Sequence, residues 1–362
     1  MYYQIGGIVL YSEVDLQSFG GFICNPVEAD VVLKETEDLP PIGAENISGN
    51  IVQRKIPNGW FYHLIHTDKS GLWVLNNYAT LLIKGENKGF VSVAEEGLIR
   101  MALECMLVRC GFVSLHAACV DLNGEAIAFS GPSGIGKSTR ARCWMQAFDA
   151  ELISGDRPLI DVRNLKVNGV PWDGKEKCYR NARYPLKYIC EVRRSKGIVY
   201  IRKMSFEQRR RLLMRQCFMP MWDTETAAIQ MMNIACLAKS AEIIRVFCGR
   251  SERDAIEVRK FMLEKRFKKE AQDMNAKSGF VLRNIVDEYI LMPTGDNIGK
   301  FKGTLLLNEV SAFIWEKLQN PISRDDLLTA IVNEYEVSEE QAAVDLDALL
   351  SQLKEFGVIE ND

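Results

Sequence analysis

The feature that most constrains this chain is a glycine-rich segment, GPSGIGKS, at residues 131–138. It matches the pattern GxxxxGK[ST] and follows an apolar run at residues 126–130 that predicts a strand. A helix is predicted directly after it, to about Phe148. Glycines in such a segment let backbone N–H groups converge on phosphate oxygens, and the helix N-terminus adds positive potential. The sequence therefore predicts a phosphate-binding loop between a strand and a helix.

The residue types of this loop predict a nucleotide and a divalent cation as ligands. Lys137 is expected to reach the β- and γ-phosphates, and the Ser138 hydroxyl is expected to bind Mg²⁺. The alternative is a glycine-rich turn that only caps a helix. We therefore predict ATP and Mg²⁺ as cofactors, with the binding residues Gly131, Ser133, Gly134, Ile135, Gly136, Lys137, Ser138 and Thr139.

An acidic residue follows the loop at a distance that suits catalysis. Asp156 lies 19 residues after Lys137, at the carboxyl end of a strand predicted over residues 151–154. There it can accept the proton of an attacking hydroxyl or contribute to a Mg²⁺ site, and the alternative is an aspartate that caps a turn. The next residue, Arg157, either stabilises the transferring phosphoryl group or pairs with Asp161.

Two further candidates lie before and after these residues. His116 precedes a hairpin that is predicted by its Asn123-Gly124 turn. It can contact the γ-phosphate or the attacking group, or it can be a hydrogen-bonded core residue. Glu176 is a candidate Mg²⁺ ligand in a loop rich in Gly and Trp, where Lys175 and Arg180 are candidate phosphate clamps. The alternative for all three is a solvated surface loop.

The order and spacing of these elements resemble the HPr kinase family. The shared elements are SLHA at residues 114–117, the loop GPSGIGKST, and LISGDR at residues 152–157. The resemblance covers about residues 90–260 and implies an α/β core like that of phosphoenolpyruvate carboxykinase, with a twisted mixed sheet. Members of this family often form oligomers, which places a homo-oligomer among the expected states.

The sequence departs from that family at two points. Gly155 stands where the family often has a second aspartate next to the catalytic one. The Glu-Ile-Arg-Gly signature of the bifunctional HPr enzymes is absent, and GVPWDGKE stands at residues 169–176 instead. HPr is therefore not the expected substrate, and the chain looks more like the serine-kinase-like branch of the family.

Composition excludes several classes of function. The net charge is −3, which argues against a nucleic-acid partner, although residues 202–273 carry 16 basic and 10 acidic residues. This basic stretch is either a solvated helix face or a surface for an acidic peptide or phosphates. The ten cysteines form no CxxC pair, which is typical of a reducing cytosol. The absence of a signal peptide or a long apolar run predicts a cytoplasmic protein with no membrane partner.

Four segments are predicted along the chain. Residues 1–90 are a β-rich N-terminal part of the kinase domain, and residues 91–264 form the core that carries the phosphate loop. Residues 265–277 are charged and predict a linker. Residues 278–362 predict a self-contained domain of three strands followed by three helices.

That last segment resembles PqqD, a family of small winged-helix domains that bind peptides in modification pathways. The resemblance implies that a leader peptide binds as an added strand at a sheet edge, against the last helix. The candidate binding residues are Gly303, Thr304, Leu305, Leu306, Val344, Asp347 and Ser351. Winged helices also bind DNA, but residues 277–362 carry 7 basic against 16 acidic residues, a net charge of −9 that disfavours phosphate contact. Dimerisation is a further alternative.

Together these features predict a kinase that phosphorylates a Ser or Thr hydroxyl of a ribosomally made precursor peptide. The C-terminal domain would hold the leader and raise the local concentration of the rest of the peptide. Two alternatives stay open from the sequence. One is a small-molecule kinase with a regulatory tail, and the other is a nucleotide-gated chaperone that hands a peptide to another modifying enzyme.

Overall fold

The chain forms two compact units, Met1–Lys268 and Lys269–Asp362. The computed structural model describes residues 1–38, 46–48, 51–64, 70–89, 91–172, 180–195, 198–268, 273–285, 288–299 and 304–361. In these ranges no helix is both long and apolar enough to cross a membrane.

The first unit begins with an eight-stranded sheet in the order β1-β2-β3-β8-β7-β6-β5-β4. Its strands are β1 Tyr2–Ile5, β2 Ile8–Ser12, β3 Val31–Glu35, β4 Asn46–Ser48, β5 Ile51–Ile56, β6 Gly59–Leu64, β7 Gly71–Leu75 and β8 Thr80–Lys84, with a 3₁₀ helix at Gln17–Phe22. The predicted β-rich N-terminal part is therefore a sheet. It shares a core with helix α1, Val93–Arg109, through buried residues such as Leu72, Leu98 and Leu103.

A ten-stranded sheet forms the rest of this unit. Its strands are β9 Phe112–Ser114, β10 Ala117–Leu122, β11 Glu125–Ser130, β12 Glu151–Ser154, β13 Leu159–Asp161, β14 Lys166–Asn168, β15 Arg183–Arg194, β16 Tyr200–Lys203, β17 Ile243–Cys248 and β18 Phe267–Lys268. The main path is β12-β10-β11-β15-β14-β13-β9, and β17 pairs with β15 and β16. Because β11, β15 and β17 run parallel while β10 runs against β11, the sheet is mixed, as predicted.

Helices cover both faces of this sheet. They are α2 Lys137–Phe148, α3 Phe206–Gln216, α4 Thr224–Ser240 and α5 Glu252–Leu263. Alternate residues of β11 enter opposite cores: Ile127 packs with Trp144 of α2, whereas its neighbour Ala128 packs with Leu213 of α3 and Ile234 of α4. The predicted hairpin turn is present, with Asn123 at φ 55° and Gly124 at φ 84°, the left-handed values that a two-residue turn of this kind needs.

The described residues of the second unit form two three-stranded sheets and three helices. The strands are β19 Asp273–Ala276, β20 Phe280–Ile285, β21 Glu288–Pro293, β22 Leu305–Leu307, β23 Ile322–Ser323 and β24 Ile359–Asn361, with a 3₁₀ helix at Gly295–Asn297. The helices are α6 Glu309–Leu318, α7 Arg324–Glu334 and α8 Glu339–Glu355. The sheet orders are β20-β21-β22 and β23-β19-β24. The prediction of only three strands was therefore wrong.

The predicted linker at residues 265–277 also needs correction. It contains β18 and β19, and β19 is the central strand of its sheet. Met274 lies in the core of the second unit with 6% of its surface exposed. The segment was predicted as a linker because charged residues surround Met274. It forms a strand because it pairs with β23 and β24, which lie more than 45 residues away in the sequence.

The core of the second unit should depend on one face of α8. Leu346 is fully buried, whereas Val344 on the same helix is 65% exposed. We expect Leu346→Ala to lower the free energy of unfolding of this unit by about 2–5 kcal/mol, because it leaves a cavity. The matched change Val344→Ala should stay within about 0.5 kcal/mol. Hydrogen–deuterium exchange of residues 305–359 measures both, and equal effects would contradict the assigned burial.

Candidate functional site

The directions of β10, β11 and β12 place the predicted site residues together at one end of these adjacent strands, which is called one edge of the ten-stranded sheet below. β10 runs antiparallel to both β11 and β12, so its first residue, Ala117, lies beside the last residue of β11, Ser130. His116 precedes β10, the phosphate loop follows β11, and Asp156 follows β12. All three therefore meet at the same edge, although they come from separate parts of the sequence.

The glycine loop at residues 131–136 has backbone angles that favour glycine at three positions. Gly131, Gly134 and Gly136 have φ angles of 148°, 77° and 99°, which L-residues with side chains rarely adopt. A Cβ atom at Gly136 would lie 2.9 Å from Nη1 of Arg140, so a larger residue would displace this guanidinium group and would also be strained at a φ of 99°. Gly136 is the N-cap of α2, and Lys137, Ser138 and Thr139 form the first turn of that helix. Ser133 and Gly134 are exposed at the tip of the loop.

Lys137 curls over the loop from the start of α2. Its Nζ donates to the carbonyl oxygens of Gly131 at 3.1 Å and Pro132 at 3.3 Å. Burial lowers the pKa of Lys137, and the nearby Asp156 carboxylate partly offsets this effect. Because both acceptors are neutral, a phosphate oxygen is a stronger partner for this ammonium group.

His116 and Asp156 face each other across the end of β10. His116 Nε2 lies 3.7 Å from Asp156 Oδ1, and this carboxylate oxygen is buried without a hydrogen bond in the described part of the chain. The Ser154 hydroxyl donates to the Asp156 carbonyl oxygen at 2.7 Å and so fixes the turn. An acceptor that is buried without a donor is costly, which suits a group that takes up a proton or a cation.

The charges around His116 favour its neutral form. Burial is the largest cause of its lowered pKa, followed by the positive charges of Lys137 and Arg157, while Asp156 opposes the shift. His116 N donates to the Gln216 carbonyl oxygen at 2.8 Å, which ties the histidine to the end of α3.

Arg157 lies near His116 and does not pair with Asp161. Asp161 Oδ2 accepts from Arg183 at 2.7 Å and from Asn164 at 2.8 Å, and it forms no ion pair with Arg157. The predicted alternative of an Arg157–Asp161 pair is therefore wrong. Arg157 adopts a φ of 52°, a left-handed value, directly after Asp156.

Sequence reasoning missed three arginines that contact the loop. Arg140, 4% exposed, donates to the carbonyl oxygens of Ile135 at 2.9 Å and Cys248 at 2.9 Å. Arg194 and Arg250 both donate to the Gly134 carbonyl oxygen, at 2.8 Å and 3.3 Å. No local motif marks these arginines, because strand pairing is what brings Arg194 and Arg250 to the loop.

The predicted metal ligand Glu176 lies outside the described residues, as does Lys175. Arg180, the other predicted clamp, forms an ion pair with Glu151 and donates to the Tyr184 hydroxyl. Among the described residues no group of three or more His, Cys, Asp and Glu side chains can hold a metal ion. Any Mg²⁺ at Ser138 and Asp156 would therefore need ligands in addition to these two.

The predicted peptide site has an open strand edge. β22 pairs only with β21 in the described part of the second unit, which places β22 at the edge of its sheet. Thr304 is exposed and Leu306 is 65% exposed, but Leu305 is 5% exposed and packs in the core. Leu305 can therefore contact an added peptide strand only through its backbone groups. Gly303 lies outside the described residues.

The three candidate peptide-binding residues on α8 differ in whether their side chains are available for a new contact. Val344 is exposed, but the Asp347 carboxylate accepts from Arg324 at 2.5 Å and 2.6 Å, and this ion pair lowers the Asp347 pKa. The Ser351 hydroxyl donates to the Asp347 carbonyl oxygen at 2.8 Å. Among these three residues, only Val344 has an uncommitted side chain.

Comparison with known proteins identifies one part of the chain. Residues 288–359 match the family described as coenzyme PQQ synthesis protein D (PqqD). This match confirms the resemblance predicted for the C-terminal segment. No curated protein matches the chain. The resemblance of residues 90–260 to the HPr kinase family stays a prediction.

Two solved structures are similar to about a quarter of the chain. TbiB1 in complex with the TbiA(beta) leader peptide is 23% identical, with a TM-score of 0.21, over 24% of this chain and 94% of that one. Lasso peptide synthetase B1 complexed with the leader peptide is 24% identical, with a TM-score of 0.21, over 24% and 96%. Neither similarity bears on the rest of the chain.

The lowered pKa of His116 predicts a pH-dependent stability. The unfolded chain takes up a proton near the ordinary histidine pKa of 6.5, whereas the folded chain resists protonation to lower pH. Acidification therefore favours the unfolded state. Between about pH 7.5 and about pH 5.5, the wild type should lose more unfolding free energy than His116→Gln, which cannot titrate. Denaturant unfolding at both pH values measures this difference, and parallel losses would contradict the assigned environment of His116.

Proposed function

We propose that this protein is an ATP-dependent kinase that phosphorylates a Ser or Thr hydroxyl of a ribosomally made precursor peptide. The observation that carries the proposal is the convergence of Lys137, His116 and Asp156 at one sheet edge, beside a glycine loop with left-handed backbone angles. The PqqD match at residues 288–359 supports the peptide as substrate.

The loop fits the phosphates of ATP on two grounds. Its glycines avoid Cβ atoms at the positions where an oxygen would approach the backbone, and the first turn of α2 offers N–H groups without helical acceptors. Mg²⁺ would be held by the Ser138 hydroxyl and by phosphate oxygens, and Asp156 would contribute to the site through a bridging water, which leaves its buried Oδ1 available for the substrate proton. When bound, the ion would neutralise charge on the phosphates.

The proposed reaction transfers one phosphoryl group. The peptide hydroxyl oxygen attacks the γ-phosphorus, the bond between this phosphorus and the oxygen bridging it to the β-phosphate breaks, and ADP leaves. Asp156 accepts the hydroxyl proton, and the negative charge that develops on the leaving oxygen is stabilised by Lys137. The buried Oδ1 of Asp156 has no competing hydrogen-bond donor in the described residues, which leaves it available for this proton.

His116 would orient the reacting groups without adding charge. Its lowered pKa keeps the imidazole neutral at neutral pH, so that one ring nitrogen donates and the other accepts. At 3.7 Å from Asp156 Oδ1, Nε2 is close enough to approach the same substrate hydroxyl or a γ-phosphate oxygen. Arg157, the residue after Asp156, would add positive charge near His116.

The second unit would hold the leader part of the peptide. The open edge of β22 offers backbone N–H and C=O groups to an added strand, and the exposed Leu306 and Val344 side chains offer apolar contacts. Tethering the leader raises the effective concentration of the acceptor segment at the kinase unit. The net charge of −9 over residues 277–362 favours a basic leader and disfavours nucleic acid.

Mass spectrometry tests the kinase activity. A candidate precursor peptide encoded beside this gene, incubated with the protein, ATP and Mg²⁺, should gain about 80 Da for each phosphoryl group added to a hydroxyl. Lys137→Ala and Asp156→Asn should each lower the rate at least about 100-fold, because one loses phosphate binding and the other the base.

Three outcomes separate the alternatives. Unchanged peptide mass with peptide and ATP both bound would overturn the kinase proposal for that peptide and favour a nucleotide-gated chaperone. Phosphorylation that survives in Asp156→Asn would contradict the assigned base. Phosphorylation of a small molecule that persists after removal of residues 278–362 would favour a small-molecule kinase with a regulatory tail.

A second experiment tests leader binding at β22. Leu306→Asp should weaken binding of the fluorescently labelled precursor peptide about tenfold or more, because it places a charge in an apolar contact. Ile285→Asp is a matched control, since Ile285 is 50% exposed on β20, the opposite edge of the same sheet. Equal losses in both variants would show that the β22 edge is not the specific site.

A further inference from the structure

The three arginines at the phosphate loop fall into two kinds. Arg140 is buried, and its guanidinium is occupied by the carbonyl oxygens of Ile135, Gly136 and Cys248 and by Cys248 Sγ. It therefore holds the loop against the end of β17. Arg194 and Arg250 are exposed, and among the described residues they share one neutral acceptor, the Gly134 carbonyl oxygen.

Strand pairing explains why these two residues meet. Arg194 is the last residue of β15 and lies beside Cys248, the last residue of β17. Arg250 follows two residues later, and both strands run parallel to β11, which leads into the loop. The two guanidinium groups therefore approach the loop from adjacent strand ends. Nε of Arg250 lies 3.1 Å from the position that a Cβ atom would take on Gly136.

This arrangement leaves most of the donor capacity of two guanidinium groups unused by the described residues. Each guanidinium has five N–H donors in a planar fork that matches the spacing of phosphate oxygens. The shared carbonyl oxygen accepts one bond from each of them. Lys137, Arg194 and Arg250 all donate to neutral carbonyl oxygens of the loop in the described residues. Anionic oxygens are stronger acceptors than carbonyl oxygens, so phosphates would compete effectively for these donors.

We propose that Arg194 and Arg250 form a clamp that binds the phosphates of the nucleotide, moving from the Gly134 carbonyl oxygen to phosphoryl oxygens. This inference rests on the proposed function, because it assigns two further binding residues to the same nucleotide site. The clamp adds two positive charges that the loop motif itself does not contain. It favours a triphosphate over a monophosphate, because only the longer chain places several charged oxygens within reach of both forks.

Titration calorimetry with ATP and Mg²⁺ tests the clamp in the full-length protein. Arg194→Ala and Arg250→Ala should each raise the dissociation constant about tenfold or more, as expected for loss of hydrogen bonds to a charged group. The double variant should bind AMP almost as the wild type does. The dissociation constants of Arg194→Lys and Arg250→Lys should lie between those of the wild type and the alanine variants, because lysine keeps the charge but loses the planar fork of donors.

The control is Arg253→Ala, which removes an exposed arginine three residues after Arg250. It should leave the ATP affinity within about twofold, which separates the clamp from a general loss of positive charge. Thermal unfolding of each variant should match the wild type, because Arg194 and Arg250 are exposed.

The outcomes also separate this inference from the proposed function. If the wild type binds ATP and the double variant binds equally well, the clamp is overturned while the nucleotide site stands. If Arg253→Ala weakens binding as much as the clamp variants, general electrostatic attraction replaces the clamp. If the wild type binds no nucleotide, both the proposed function and the clamp are overturned.

Discussion

The alignment of five adjacent strands, β12-β10-β11-β15-β17, is the constraint on which the rest of the first unit depends. Each strand ends or begins at the same edge because β10 alone runs against its neighbours in this group. A buried ion pair supports the alignment, since Arg245 on β17 donates to Glu191 on β15 at 2.6 Å. Glu191 also accepts from Arg193 at 2.8 Å, so this one carboxylate compensates the charges of two arginines.

Electrostatics then determine what this edge can bind. Lys137, Arg157, Arg194 and Arg250 bring positive charge to the glycine loop, while Asp156 is the carboxylate that faces it through His116. Burial lowers the pKa of His116, and the positive charges of Lys137 and Arg157 lower it further. The edge therefore combines an excess of hydrogen-bond donors with one proton acceptor, a combination suited to polyanionic ligands and to a hydroxyl that must lose its proton.

The second unit has a hydrophobic core of its own. Its core is built from apolar faces of α6, α7 and α8 around Trp315, and its surface is acidic. The β22 edge leaves backbone groups and Leu306 exposed, which is a liability for aggregation unless a peptide or strand pairs with it. The adjacent Arg324–Asp347 ion pair restrains α7 and α8 and so occupies one side chain that the sequence suggested for peptide contact.

Local chemistry made several features readable from the sequence. The Asn123-Gly124 turn, the glycine loop and the end of α2 at Phe148 follow from backbone angles that near neighbours decide. The strand at β19 was missed because its partners lie more than 45 residues away and Met274 is its one deeply buried apolar residue.

Tertiary structure alone decided which residues join the loop. Arg194 and Arg250 reach Gly134 across 60 and 116 residues of sequence, and Asp161 pairs with Arg183 instead of Arg157. The sequence by itself determined the glycine loop between a strand and a helix, the acid that follows it and the PqqD-like segment. Which side chains face one another was decided by strand pairing, because the free energy of long-range pairing depends on the whole sheet and not on any local motif.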